Sequence, residues 1–192
     1  MTTPTYRCAC ARHTRRRLLG WALAAPLGMG LAGLAGCSDR TGTDSAHAAA
    51  PTDFDRATSC ELDGMLLADY PGPKAQIHYT GQSRPVFFCD TVELFNTLLA
   101  GEQVRAVAAV YVQDMGQADW EAPRGHWIDA RSAVYVSGSR RHGSMGPTLA
   151  SFASPEAATR FTTEHGGRVL RFAEITPEMT DLSGGALHDT RM

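Results

Sequence analysis

A cysteine, an acidic residue three positions later and a methionine lie close together in the stretch CELDGM, residues 60–65. Cys60 offers a thiolate, Asp63 a carboxylate and Met65 a thioether. Thioredoxin-like redox chemistry needs a Cys-x-x-Cys pair, and Asp63 stands where the resolving cysteine would be. A zinc site needs about three or four Cys, His or carboxylate ligands at short spacing, and Cys60 with Asp63 is too sparse for one. The residue types therefore favour a small soft-metal site.

Sulfur donors of this kind favour Cu(I) over hard cations because thiolate and thioether are polarisable. Met145 is a second thioether candidate, since Ser, Gly and Pro surround it on a polar loop and leave it no evident core role. A methionine elsewhere is commonly a core gap-filler. His126 is a candidate imidazole ligand. Asp63 is hard for Cu(I), so we expect it to orient the loop or to balance the charge of the cation.

The amino-terminal 36 residues resemble an export signal. Five arginines and no acidic residue precede an uncharged run, Leu18–Gly36, that ends in Leu-Ala-Gly before Cys37. Small residues before a cysteine predict a lipoprotein signal peptide, with lipid attached to Cys37. A single transmembrane anchor is the alternative, because the apolar run is close to the minimum spanning length. The first interpretation predicts a periplasmic protein anchored to a membrane by that lipid.

Charge and composition limit the partners of the mature chain. The whole sequence has 18 basic and 20 acidic residues, so removing the five signal arginines leaves 13 against 20, a net charge of −7. This acidity argues against nucleic acid as a partner. Residues 37–57 are poor in large apolar side chains and predict a lipidated flexible tether.

The remaining chain shows one pattern of elements twice. In the first half, strands at 74–79 and 85–89 precede a helix capped by Asp90, with Glu93 in capping-box spacing, and a strand at 104–112 follows. In the second half, strands at 132–138 and 148–153 precede a helix that starts at Ser154-Pro155 and stops at Gly166, and a strand at 168–175 follows. We predict an α+β fold of two similar ββαβ units, residues 58–118 and 119–180, before a tail at 181–192.

Two further observations concern chemistry. Cys60 and Cys89 are the cysteines that remain beside Cys37 in the mature chain, and in an oxidising compartment a disulfide between them is an open alternative. The sequence has no G-x-S-x-G elbow, no H-E-x-x-H and no phosphate-binding glycine loop. We therefore predict that the protein is not an enzyme.

Several segments together resemble the NosL family of lipoproteins, which are encoded with nitrous oxide reductase and associated with copper delivery to it. The resemblance covers about residues 58–177, and its segments are CELDGMLLADYPGPKAQI, FFCDTVELF, WIDARSAVYV, SMGPTLASFAS and EHGGRVLRFAEI. It implies two ββαβ units, a lipid on Cys37, Cu(I) as the bound ion, and nitrous oxide reductase and its assembly machinery as partners. It also implies a copper thiolate at Cys60 and a copper thioether at Met145.

One position departs from the family pattern. Many relatives have C-x-x-C-G-M, where this chain has Asp63, so a site with two cysteines in this stretch is not expected. Cys89 remains a candidate redox partner that forms a disulfide with Cys60 in the metal-free protein. Three hypotheses follow: a Cu(I) chaperone, a thiol–disulfide redox lipoprotein that uses Cys60 and Cys89, or a docking lipoprotein without selective metal binding.

Overall fold

The first sheet of the protein is built around the helix that follows Cys89. In the computed structural model, which describes residues 49–101 and 104–182, this sheet has four antiparallel strands in the order β2-β1-β3-β4. Its elements are β1 (Ala75–Tyr79), β2 (Val86–Phe88), α1 (Thr91–Leu99), β3 (Val107–Gln113) and β4 (Trp127–Asp129).

A second, smaller sheet has three antiparallel strands in the order β8-β5-β9, and a short hairpin of β6 and β7 stands apart from it. These elements are β5 (Val134–Ser137), β6 (His142–Gly143), β7 (Gly146–Pro147), β8 (Ala150–Phe152), α2 (Pro155–His165) and β9 (Arg168–Arg171). Short 3-10 helices occupy Leu67–Asp69, Phe172–Glu174 and Pro177–Thr180. The α+β class predicted from the sequence is confirmed.

Both long helices begin where their capping residues predict. Asp90 accepts a hydrogen bond from the Val92 amide at 3.0 Å, and Ser154 accepts one from the Ala157 amide at 3.3 Å. α2 ends before Gly166, whose φ of 75° is the left-handed conformation that glycine tolerates. The capping box is not formed, because Glu93 turns toward Cys89 instead of returning to the Asp90 amide.

Two apolar cores hold these elements together. The larger core packs α1 against the first sheet and includes both Cys60 and Cys89, which are buried. The smaller core lies under α2, where Phe161 packs against Phe152 and stacks on Trp120 with ring centroids 5.4 Å apart. Both cysteines are therefore part of a packed interior and not of a free loop.

Three features differ from the sequence prediction. β4 and the β6-β7 hairpin are additional strands, and β4, which lies in the predicted second unit, pairs with β3 of the first sheet. Phe54, placed in the predicted tether, is buried against Phe87 and Trp127. The described residues do not include the predicted signal peptide, Cys37, the first part of the tether or residues 183–192. Within the described ranges, no helix is long and apolar enough to cross a bilayer.

Candidate metal centre

The loop that carries Cys60 is closed by its own hydrogen bonds. The Cys60 amide donates to the Met65 carbonyl at 2.8 Å, and the Gly64 amide donates to the Cys60 carbonyl at 3.0 Å. Asp63 Oδ1 accepts a hydrogen bond from the Met65 amide at 2.9 Å, while Gly64 adopts a φ of 77°. Asp63 thus orients the loop.

The same loop is attached to the end of β2, next to Cys89. The Glu61 amide donates to the Phe87 carbonyl at 2.8 Å, and Ser59 pairs with Leu66 in an isolated bridge. Cys89 is the buried residue between β2 and the α1 cap at Asp90. Tertiary packing therefore brings two cysteines that are distant in sequence to one place.

Glu93, one helical turn into α1, lies between the two thiols. Its Oε2 is 3.0 Å from the Cys60 sulfur and 3.2 Å from the Cys89 sulfur, and it accepts a hydrogen bond from the Cys89 amide at 3.1 Å. Asp63 Oδ2 approaches the Cys89 sulfur to 3.8 Å. One donor atom from each of these four residues lies within 4.8 Å of every other. Both cysteines are free, so no disulfide joins them.

Burial and hydrogen bonding shift the pKa values of these groups in opposite directions. A hydrogen bond from Cys89 lowers the pKa of Cys60 to about 6, against the cost of its burial. The same hydrogen bond, together with burial, raises the pKa of Cys89. Burial, followed by the neighbouring Cys60 sulfur, raises the pKa of Glu93 to about 9. At neutral pH the site therefore holds one thiolate at Cys60, stabilised by two neutral acids.

A buried polar network joins the site to the β6-β7 hairpin. Lys74 is fully buried, and its Nζ donates to the carbonyls of Pro71 and Cys89 and to Ser144 Oγ at 2.8–3.0 Å. Burial lowers the pKa of Lys74 to about 8, and the charge of Asp90 partly opposes that change. All three ammonium hydrogens have acceptors, as burial of this cation requires.

Asp90 holds the hairpin from the other side. Its Oδ1 accepts a hydrogen bond from Thr148 Oγ1 at 2.7 Å, and its Oδ2 accepts one from the Met145 amide at 3.4 Å. Burial raises the pKa of Asp90, whereas the Val92 amide and Thr148 lower it. The hairpin approaches closely because Gly143 is a glycine: a Cβ there would collide with Asp90 Oδ2.

The two methionines predicted as ligands lie on segments that are hydrogen-bonded to residues of the site. Met145 is in the two-residue turn between β6 and β7, next to Ser144, whose Oγ lies 2.6 Å from the Cys89 carbonyl. Met65 closes the Cys60 loop. Both side chains are half-buried and pack against the core that contains Cys60 and Cys89.

The predicted ligands are therefore gathered in part. The structure brings Cys60 and Asp63 together with Cys89, the predicted redox partner, and Met65 and Met145 pack against the core that contains both cysteines. His126 is exposed before β4 with a φ of 52°, and it does not belong to the four-residue cluster. The sequence-based prediction did not include Glu93 as a site residue, because its position in the first turn of α1 predicts a capping role. The sequence feature that could have identified it is its spacing of one helical turn from Cys89.

Comparison with known proteins identifies a matching family and relatives of similar sequence. The NosL family model matches residues 51–180. The copper-binding lipoprotein NosL of Stutzerimonas stutzeri is 39% identical over 163 residues, which cover 82% of this chain and 83% of that protein. The protein of the same description from Achromobacter cycloclastes is 38% identical over 153 residues, covering 78% of this chain and 77% of the relative.

A solved structure gives the same result for the fold. The crystal structure of the copper chaperone NosL from Shewanella denitrificans superposes with a TM-score of 0.64 at 39% identity. The match covers 68% of this chain and 98% of that one. The family match extends over most of the chain and includes all four residues of the Cys60 cluster. The chain belongs to the NosL family.

Proposed function

We propose that this protein is a Cu(I)-binding lipoprotein that carries copper to nitrous oxide reductase and its assembly machinery. It acts in the periplasm, is anchored to a membrane by lipid on Cys37, and catalyses no reaction. Family membership supports the proposal, together with relatives described as copper-binding lipoproteins and a structural neighbour described as a copper chaperone. Copper is the cargo in this role, so it must be bound and then released.

The observation that carries the proposal is the buried Cys60 sulfur, which hydrogen-bonds Glu93 Oε2 at 3.0 Å in a core against which two half-buried methionines pack. A pKa of about 6 keeps Cys60 ionised at neutral pH, and a thiolate is the form that binds metal. We propose Cys60, Met145 and Met65 as the Cu(I) ligands, since all three are soft donors on one core. His126 is left out of this set because it is exposed and outside the cluster.

Release follows from the small number of ligands. Met65 and Met145 are neutral, half-buried donors that pack against the core, and Asp63 and Gly64, which precede Met65 in the chain, are exposed. A partner can approach from this side, and its own ligand can replace a thioether before Cys60 releases the ion. Such stepwise exchange avoids free copper.

Anaerobic titration of Cu(I) tests this function. The full chain, purified in detergent and reduced, competes with a colorimetric Cu(I) chelator. We expect one equivalent bound, with binding lost in Cys60→Ser and weakened about tenfold or more in Met145→Leu. Met179→Leu is the matched control, because Met179 is also half-buried against the same core but lies on the 3-10 helix Pro177–Thr180 and not on the Cys60 loop or the β6-β7 hairpin.

Two results would contradict the proposed ligand set. The ligand set is wrong if Cys60→Ser competes with the chelator as well as the unmodified protein does. It is also wrong if Met145→Leu and Met179→Leu lose copper to the same extent.

Thiol–disulfide exchange is a second candidate function, favoured by one observation. Cys60 and Cys89 are both free and hydrogen-bond the same Glu93 oxygen. A redox role predicts equal loss of function in Cys60→Ser and Cys89→Ser and no effect of methionine changes. Mass spectrometry after equilibration in glutathione buffers measures whether the pair forms a disulfide.

We also propose that the two sheets are copies of one ββαβ unit. Each sheet has the first strand of its set in the centre, β1 in one and β5 in the other. Each helix follows a Phe-x-cap segment, with Phe88 before Asp90 and Phe152 before Ser154. The hairpin that carries Met145 is then an insertion in the second copy, and it reaches across to the α1 cap of the first.

A further inference from the structure

Two clefts border the last turns of α1. The first, which we call the Leu62 cleft, has a volume of about 270 Å³ and is lined by Asn96 and Ala100 of α1 together with Leu62. The second, the Phe172 cleft, has a volume of about 360 Å³ and is lined by Leu99 of α1 together with Phe172. Pockets that hold ligands begin at about 300 Å³, so each cleft has room for an apolar side chain of a bound molecule.

Arg105 is the residue that lines both clefts. Its guanidinium lies 3.9 Å from the centre of the Tyr79 ring, which supports it from one side. Its ion pair with Glu61 is 3.9 Å long and joins two exposed side chains, so the pair contributes little energy. The charge of Arg105 is therefore available to an anion that binds from outside.

Exposed apolar side chains are concentrated on the same surface. Of the five large apolar side chains that are exposed in the described part of the chain, three line these clefts: Val104 at 92%, Leu62 at 48% and Leu99 at 38%. Single exposed apolar residues are normal on a protein surface, whereas contiguous ones mark an interaction site. The grouping around Arg105 indicates a surface that another molecule covers.

The charge of this surface limits what can cover it. Arg131 joins Arg105 in the Phe172 cleft, and none of the described residues that line either cleft is acidic. A second copy docked by the same face would bring two positive surfaces together. The predicted mature chain has a net charge of −7, which opposes binding to an anionic bilayer. An acidic segment of another protein fits best.

The surface also lies next to the proposed copper site. Leu62, which lines the first cleft, belongs to the Cys60 loop, and its amide donates a hydrogen bond to the Cys60 sulfur at 3.4 Å. A molecule that fills this cleft therefore contacts the residue whose backbone supports the sulfur. Docking and access to Cys60 occur on adjoining parts of the protein.

We propose that the Leu62 cleft, the Phe172 cleft and Arg105 form a docking surface for a partner protein, through a segment in which an Asp or Glu stands between two apolar residues. The carboxylate pairs with the Arg105 guanidinium, whose planar fork suits it, and the apolar side chains enter the two clefts. The inference rests on the proposed function in one respect, because it assigns this partner to the acceptance of copper.

Charge reversal separates docking from copper binding. Arg105→Glu in the full chain, purified in detergent, should compete with the Cu(I) chelator as well as the unmodified protein does. In denitrifying cells where it replaces the unmodified chain, the same variant should lower the copper content of nitrous oxide reductase about tenfold or more, since arginines at interface centres carry much of the affinity. Arg160→Glu, at an exposed position of α2, is the control and should lower neither quantity.

A second variant does not depend on how Arg105→Glu folds. Val104→Asp changes a side chain that is 92% exposed, so it loses almost no packing. The new carboxylate stands beside Arg105 and repels an acidic partner, so copper loading of the reductase should fall as in Arg105→Glu. Cu(I) affinity should again be unchanged.

Photo-crosslinking identifies the occupant. A benzophenone amino acid in place of Val104 is irradiated in intact cells, and the crosslinked peptides are sequenced by mass spectrometry. We expect an adduct with a protein segment in which apolar residues flank an Asp or Glu. The adduct should be lost when Arg105→Glu is added to the same chain.

Several results would overturn the docking surface. These are absence of an adduct, an adduct with lipid alone, with a second copy or with a segment that has no acidic residue, and an adduct that Arg105→Glu leaves unchanged. Normal copper loading in both Arg105→Glu and Val104→Asp would also overturn it. If the expected adduct forms but the unmodified protein fails the Cu(I) titration, the copper role is refuted and the docking surface stands.

Discussion

Replacing Glu93 by glutamine should change how stability depends on pH. In the folded protein the pKa of Glu93 is about 9 instead of an ordinary 4.5, and the pKa of Cys60 is about 6 instead of 9.0. Because the two groups share one hydrogen bond, they titrate as a pair. The folded pair loses its first proton near pH 6 and its second near pH 9. The unfolded pair loses them near 4.5 and 9.0.

The sign and size of the effect follow from this difference. Between pH 4.5 and 6 the folded state binds about one proton more than the unfolded state, so the free energy of unfolding falls as pH rises. One pH unit corresponds to about 1.36 kcal/mol, and the interval of 1.5 units gives a fall of about 2 kcal/mol. From pH 6 to 8 both states of the pair hold one proton, and its contribution is flat.

Glu93→Gln removes the titrating carboxyl and keeps its volume. The amide oxygen can still accept from the Cys89 amide, and the NH₂ group takes the place of the unpartnered Oε1. That group costs about 1–3 kcal/mol at every pH. The free energy of unfolding of the native protein minus that of Glu93→Gln should therefore fall by about 2 kcal/mol between pH 4.5 and 6.

Urea denaturation of the reduced, metal-free protein measures this difference. Tryptophan fluorescence can report unfolding, because Trp120 is buried and Trp127 packs on Phe54. Glu164→Gln changes an exposed carboxylate whose ion pair with His165 is a surface contact of small energy, so this variant should parallel the native protein throughout. Parallel curves for the native protein and Glu93→Gln, or a difference that rises between pH 4.5 and 6, would refute the assignment of the buried proton to Glu93.

Two further predictions concern the contacts of Asp90. Gly143→Ala should destabilise the protein by about 1–3 kcal/mol and weaken Cu(I) binding, because the new methyl group collides with Asp90 Oδ2 and displaces the hairpin. Gly101→Ala is the control, and it should have neither effect because the space around Gly101 is open. Thr148→Val removes the hydroxyl that donates to Asp90 at 2.7 Å and should cost about 1–3 kcal/mol in urea denaturation. Thr163→Val, at an exposed position of α2, is its control, and equal losses in the two threonine variants would contradict the role given to Asp90.

Local sequence rules accounted for the helices and most strands. Asp90, Ser154 and Gly166 act on backbone groups within a few residues of themselves, so their types and positions predicted where α1 starts and where α2 starts and ends. The β6-β7 hairpin was missed because strands of two residues carry no readable periodicity. β4 is as long as β2 and β8, but it does not stand before a helix cap as they do. Their pairing depends on partners elsewhere in the chain.

For the site as well, residue types indicate one part and tertiary packing decides the rest. Residue type alone was enough to single out Cys60, Met65 and Met145, because soft sulfur in a polar loop is chemically distinctive. The place of Glu93 between two thiols, and the burial of Lys74 under a hairpin 70 residues away, come from the packing of α1 and the hairpin on the first sheet. The energy of these contacts depends on burial shared by segments distant in sequence, and no local pattern of residues encodes it.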